Sequence, residues 1–326
     1  MLDERLTGIR LRCRSKKTTV VAYADDDTIF VTSPADIQLI RGAQKCYEAA
    51  LGARLNIPKS KAMATGSWDT STDIMDISYH TAIKILGVRM HNTVSQFANN
   101  SWSAVTRKIR AQARDAYNRD LCLDQRIQYI HNFLLAKAWY TAQIFPPPDA
   151  CVRHLNTTIS WYLWHGEIFK VPLSTLQRPK ERGGWDLIHV AAKSSALHLY
   201  GLKIQGQKTG TLTVEWLRAL DLHKLSINSP NRDRIPANME YIRILSMDSV
   251  NIAPLGQTES MKAYKRRIYD TCHTLLRETT EPADMRITRL WPNTDWAVVW
   301  KNLQTAPVTG TTKAVWYRVL HDIFPH

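Results

Sequence analysis

Asp25, Asp26 and Asp27 stand together between two β-rich arms, Thr19-Val20-Val21-Ala22-Tyr23-Ala24 and Thr28-Ile29-Phe30-Val31. Valine, isoleucine and phenylalanine favour strands, whereas successive aspartates favour tight turns. The stretch therefore predicts a hairpin with its carboxylates at the bend and its apolar arms holding them in place. Adjacent carboxylates repel unless a counter-ion is near, and a divalent cation that prefers hard oxygen ligands is the natural neutraliser. The chemistry this points to is metal-dependent work on phosphate groups. A solvated acidic turn is the other reading of the same residues.

The chain has 326 residues, enough for about two domains with cores of their own. Its apolar fraction of 44%, with 11 Trp and 12 Tyr, argues for a folded protein rather than a disordered tail. A formal net charge of +14 favours polyanionic partners. Nucleic acid stands ahead of membrane, because no strong amphipathic anchor or long polybasic tract is present. Cys13, Cys46, Cys122, Cys151 and Cys272 are scattered and form no Cys-x-x-Cys pair, which suits a reducing intracellular compartment and argues against a zinc site. The most apolar helical stretch, 132–145, is interrupted by Lys137, so neither membrane spanning nor secretion is expected.

Around the hairpin the elements read in order. Alternation through Ile9 to Cys13 suggests one strand. Ser33-Pro34-Ala35-Asp36 is a helix start, with a serine cap, proline at the first helical position and an acid in the first turn. Ile37, Ile40, Tyr47 and Leu51 recur on one face, and Gly52 can end the helix. Arg54-Leu55-Asn56 begins another extended piece. From Ser101 to Tyr117, Trp102, Val105, Ile109, Ala113 and Ala116 share one face, while Arg107, Lys108, Arg110 and Arg114 gather away from it. A further helix runs from near Asp124 through Ile127, Ile130, Leu134 and Ala138 and is stopped by Pro146-Pro147-Pro148. Trp161 and Trp164 read either as core or as base-stacking residues, and their helical spacing favours core. Helices are also expected from Lys193 to Ile204, Met261 to Thr279 and Asp295 to Leu303, with a linker at 227–236. Lys265-Arg266-Arg267 is a solvated face or a phosphate contact.

Several of these residues carry a resemblance. Tyr23-Ala24-Asp25-Asp26 resembles the catalytic hairpin of reverse transcriptases of non-LTR, LINE-like retrotransposons. Leu55-Asn56-Ile57-Pro58-Lys59-Ser60 is similar to the family's Leu-Asn-x-x-Lys-Ser/Thr motif, and Ile83-Lys84-Ile85-Leu86-Gly87 to its primer-grip strand. Arg178-Pro179-Lys180-Glu181-Arg182-Gly183-Gly184 resembles the Pro-Lys-x-x-Gly-Gly turn beyond its thumb, where Gly183 and Gly184 would permit positive φ.

The resemblance implies an α+β fold: a partial polymerase palm of β-hairpin, helix and strands over 1–95, a mostly α-helical thumb over 96–148 and a mainly helical C-terminal extension over 149–326. It implies RNA-directed DNA polymerase chemistry. Asp25 and Asp26 would be catalytic metal ligands for Mg²⁺, with Mn²⁺ as an alternative, and Tyr23 and Lys59 would meet the incoming nucleotide. Leu86 and Gly87 would grip the primer; Arg107, Lys108, Arg110 and Arg114 would hold the nucleic-acid backbone. The implied partners are an RNA template, a DNA primer and deoxynucleoside triphosphates. In the family a fingers region and a further carboxylate strand precede the hairpin, whereas here twenty-two residues precede Tyr23. The expectation is thus a C-terminal fragment with little or no polymerase activity alone. The alternatives are a non-catalytic nucleic-acid-binding module and an inert mobile-element remnant.

Overall fold

A computed structural model describes residues 5–9, 17–24, 26–92, 94–144, 146–167, 171–209, 259–276 and 291–321. The chain divides into two compact units, Met1–Ser101 with Ile204–Lys224, and Trp102–Lys203 with Leu225–His326. The expected linker at 227–236 lies outside the described residues, as do the later residues of the expected strand beyond Ile9. Ile9 itself forms an isolated antiparallel bridge with Thr18.

In the first unit, strands β1 (Val20–Tyr23) and β2 (Asp26–Ile29) pair antiparallel, from Val20 opposite Ile29 to Tyr23 opposite Asp26. The pairing corrects one expectation: Asp26 and Asp27 lie on the second strand, not at the bend. The apolar arms pair with each other but stay in water: Val21 is 48% and Tyr23 66% exposed. The ribbon has only two strands among the described residues, so neither face is covered. Ala24 is described at φ 55, a left-handed conformation uncommon outside glycine.

Helix α1 (Pro34–Leu51) starts as its sequence dictates. Ser33 caps it, Pro34 holds the first helical position, and the Asp36 carboxylate reaches back in a capping box. Asp36 is buried and accepts from the Thr7 amide at 2.8 Å, the Thr32 and Ser33 amides at 3.1 Å, and the Thr32 hydroxyl at 3.2 Å. Gly52, at φ 66, closes the helix by donating to the Glu48 carbonyl at 2.9 Å. Ile37 and Ile40 enter the core with Leu6 and Val88, but Tyr47 and Leu51 stay exposed. The apolar stripe is used over its first turns only. Beyond it, the extended piece expected at Arg54–Asn56 is irregular chain leading into a 3-10 turn, Ile57–Lys59, which the Asn56 side chain caps by accepting from the Lys59 amide. The asparagine side chain, by accepting the amide three residues on, favours that local turn over a ladder.

The second unit is helical. Helix α2 (Val94–Asp115), which crosses the boundary between the units, buries Trp102, Ile109, Ala113 and, just past its end, Ala116. Helices α3 (Leu123–Tyr129) and α4 (Ala136–Ala142) are joined by a π-turn over Ile130–Leu134. In it the Leu135 amide donates five residues back, to the Ile130 carbonyl, at 2.8 Å. The extra residue lets Ile130, Leu134 and Leu135 all reach the core. Helix α5 (Asp149–Trp164) follows Pro148 and buries Leu155, Ile159, Tyr162, Leu163 and Trp164. Trp164 is core, while Trp161 is half-buried and stacks on Tyr117 with ring centroids 4.5 Å apart.

After the short helix α6 (Leu173–Leu176), the Gly183-Gly184 turn organises the rest of this unit. Gly183 has φ 74 as expected, but Gly184 is needed for space: a Cβ there would lie 1.9 Å from the Arg178 carbonyl oxygen. Trp300, on helix α9 (Trp296–Thr305), packs over Gly183, and the Tyr317 hydroxyl, on helix α10 (Gly310–Leu320), donates to the Gly183 carbonyl at 2.8 Å. Between the turn and α9 in the chain come helices α7 (Val190–Thr209) and α8 (Met261–Leu276). His189 Nδ1 caps α7 by accepting from the Ala192 amide, and the Tyr269 hydroxyl accepts from the His189 amide.

Candidate functional site

The residues singled out for chemistry fall on three features of the first unit and one helix of the second. At the hairpin, Tyr23 and Asp26 form the closing pair of β1 and β2, both exposed. Asp25 lies outside the described residues. Asp27 follows Asp26 on the strand, and strand alternation sends their side chains to opposite faces. Each face thus receives one described carboxylate.

Lys59 ends the 3-10 turn with its side chain exposed. Its amide is held by Asn56, and the Ser60 hydroxyl donates to the Asn56 carbonyl at 3.0 Å. These bonds fix the backbone of the Leu-Asn-x-x-Lys-Ser stretch and leave the lysine ammonium facing water.

Leu86 and Gly87 do not lie on a single strand. They are the turn of a hairpin between β3 (Ala82–Ile85) and β4 (Val88–His91), whose register closes with Ile85 opposite Val88. Both have positive φ, 46 and 86, which is the type I′ geometry that matches the twist of the flanking strands. Glycine accepts this freely, whereas Leu86 holds it at the cost of local strain. A Leu-Gly pair carried at such a tip is presented outward, with Leu86 exposed.

On α2, Arg107, Lys108, Arg110 and Arg114 are all exposed, while Trp102, Ile109 and Ala113 occupy the buried side. Among the described residues none of the four cations has an ion-pair partner. Four unneutralised cations within about two helical turns create a positive surface that an extended polyanion can follow. The basic run on α8 behaves differently. Arg266 pairs with Asp270 at 3.0 Å and approaches Asp186 at 4.0 Å, Arg267 pairs with Glu259 at 2.7 Å, and Lys265 lies over the Tyr200 ring at 4.5 Å. Its charges are spent on contacts within the unit.

One group escaped sequence reasoning. Tyr129 and Phe133 stack with ring centroids 5.0 Å apart, and the Arg119 guanidinium sits over the Tyr129 ring at 5.3 Å. The interleaving of Arg119, Tyr129, Phe133 and Lys137 was the available signal.

For Mg²⁺ the carboxylate donors at the hairpin are of the right chemical kind, but the described ones are too few for octahedral coordination. Among the described residues no cluster of three or more His, Cys, Asp or Glu side chains is placed to hold a metal ion.

No family model matches the chain. It is similar to a Xenopus laevis protein described as the transposon TX1 uncharacterized 149 kDa protein, at 25% identity over 207 residues. The alignment covers 61% of this chain and 16% of that protein. The likeness supports a mobile-element origin. The chain spans under a fifth of the length of this transposon relative. Among the described residues no helix is long and apolar enough to cross a membrane.

Proposed function

We propose that the chain is the template–primer-engaging portion of a non-LTR retrotransposon reverse transcriptase. The observation that carries this reading is the unpaired basic face of α2, following a unit that exposes Tyr23 and Asp26 at the strand ends of one hairpin, Lys59 on a 3-10 turn and Leu86-Gly87 at the tip of a second hairpin. In this reading the first unit is a polymerase palm and the α2–α4 helices act as its thumb. Arg107, Lys108, Arg110 and Arg114 hold backbone phosphates by charge, and Lys59 neutralises phosphate charge of the incoming nucleotide. Asp25 and Asp26 would hold Mg²⁺, whose chemistry there would be Lewis-acid stabilisation of the transferring phosphoryl group.

The test is primer extension on an RNA template with Mg²⁺ and deoxynucleoside triphosphates, run beside duplex binding across a salt series. The chain alone is expected to show little or no extension; extension that Asp25→Asn abolishes would instead make it a working polymerase. The second reading, a nucleic-acid-binding module without catalysis, is favoured by the single described carboxylate on each face of the hairpin. It predicts steeply salt-dependent binding to an RNA–DNA duplex that is indifferent to Asp25→Asn. Binding that is absent, or flat with salt, removes both.

A further inference from the structure

Phe133 is the least expected exposed side chain in the second unit. It is 55% exposed on a helical stretch whose other face, Ile130, Leu134, Leu135 and Ala138, is fully buried. Phe133 lies four residues after Tyr129, the helical spacing that puts two side chains on one face, and their rings stack nearly parallel at 24°. Tyr129 is itself held from the side, its hydroxyl accepting from Gln112 Nε2 at 3.4 Å, and Arg119 covers its ring. Two turns further on, Tyr140 lies on the same face and is 49% exposed. Exposed cations flank the stripe: Arg119 at one end, Lys137 between Phe133 and Tyr140.

We propose that Tyr129 and Phe133, with Arg119 over the Tyr129 ring, form a base-stacking platform for unpaired nucleotides, separate from the phosphate-holding face of α2. Flat rings at a helix surface, braced by neighbours and bordered by cations, are the chemistry that recognises single-stranded nucleic acid: bases stack on the rings while Arg and Lys follow the phosphates. The core of a protein–protein interface is depleted of charge. Here Arg119 lies directly on the aromatic surface and Lys137 within it, in a chain of net charge +14, so a polyanion is the occupant that the charges fit. The inference deepens the reading above and rests on it only for the polymer being nucleic acid.

The test measures binding of the full chain to three labelled probes: an oligothymidylate, an abasic oligomer of the same length, and a blunt RNA–DNA duplex. Phe133→Ala is compared with wild type and with Phe133→Trp, whose ring can still stack. The exposed position lets the helix form in either variant, which circular dichroism verifies. Phe133→Ala is expected to weaken oligothymidylate binding about tenfold, in line with one lost stacking contact, while Phe133→Trp retains it. Binding to the abasic oligomer and the duplex, and the slope of affinity against salt, should not change. Equal affinity of Phe133→Ala and wild type for oligothymidylate overturns the proposal, as does an equal loss on the abasic oligomer. A shift of Phe133→Ala to a smaller species on gel filtration, with nucleic-acid binding intact, also overturns it and assigns the stripe to contact between copies. Wild type that binds no duplex refutes the role given to α2, and the oligothymidylate arm still decides the platform.

Discussion

Helix α7 keeps its cap only while His189 is neutral. Its Nδ1 accepts the Ala192 amide hydrogen at 3.1 Å, so a proton there would face an N–H donor at the positive end of a helix. Burial, then the neighbouring His273 ring at 5.6 Å, brings its pKa down from 6.5 to about 4. Because the folded value lies below the unfolded one, the unfolded chain binds the proton first, and stability falls as pH drops from 6.5 towards 4. At about 1.4 kcal/mol per pH unit the whole span is about 3 kcal/mol, of which about 2 kcal/mol is already lost at pH 5. His189→Asn isolates the effect, since asparagine offers a capping oxygen that does not titrate. Hydrogen exchange over the first turns of α7, corrected for the intrinsic pH dependence of exchange, gives the opening free energy at pH 7 and pH 5. Wild type should lose about 2 kcal/mol more than His189→Asn across that interval. His131 and His321, whose values burial also lowers, titrate in both proteins and cancel in the comparison. Parallel losses would refute the assignment of neutral His189 as the cap.

Asp36 works in the opposite direction in the first unit. Burial raises its pKa, but the amides of Thr7 and Thr32 and the contact with Ser33 outweigh burial and bring it from 3.8 to about 2. Its contribution of about 2 kcal/mol is therefore present above pH 3.8 and lost as pH falls through about 2, and Asp36→Asn should remove a similar amount at pH 7, read as faster exchange of the α1 amides. Gly184→Ala should detach α9 and α10, because its Cβ would overlap the Arg178 carbonyl; limited proteolysis that leaves 291–321 as protected as in wild type would contradict this. Reversing Arg107, Lys108, Arg110 and Arg114 to Glu should leave helix content unchanged, abolish RNA–DNA duplex binding at moderate salt and flatten its salt dependence. An unchanged slope would place the phosphates elsewhere.

Signals that are local in cause were legible in the sequence. The Ser33–Asp36 cap, the Gly52 stop and the β1–β2 pairing each depend on a few neighbouring residues, and each stands in the structure. The basic face of α2 was legible for a related reason: exposed cations need no tertiary partner, only a buried opposite face. Where the reading failed, distant residues decided. Tyr47 and Leu51 continue the stripe of α1 but lie beyond the part of it that packs. Helix α10 begins Gly310-Thr311-Thr312, poor helix formers, and gains its place from Tyr317 reaching a glycine carbonyl 134 residues earlier in the chain. The Tyr129–Phe133 pair is spaced i,i+4, so its shared face was legible, but spacing alone does not tell whether such a face packs against a neighbour or stays in water. With a regular 3.6-residue period, burial of Ile127, Ile130, Leu134 and Ala138 leaves Leu135 off the core face, and the wide turn gives it a buried position, while Phe133 faces away from the core in either geometry. The exposed phenylalanine thus has a structural cause in helical spacing whether or not a base stacks on it. Only a measurement that changes the ring while sparing the turn, as Phe133→Ala does, separates the two.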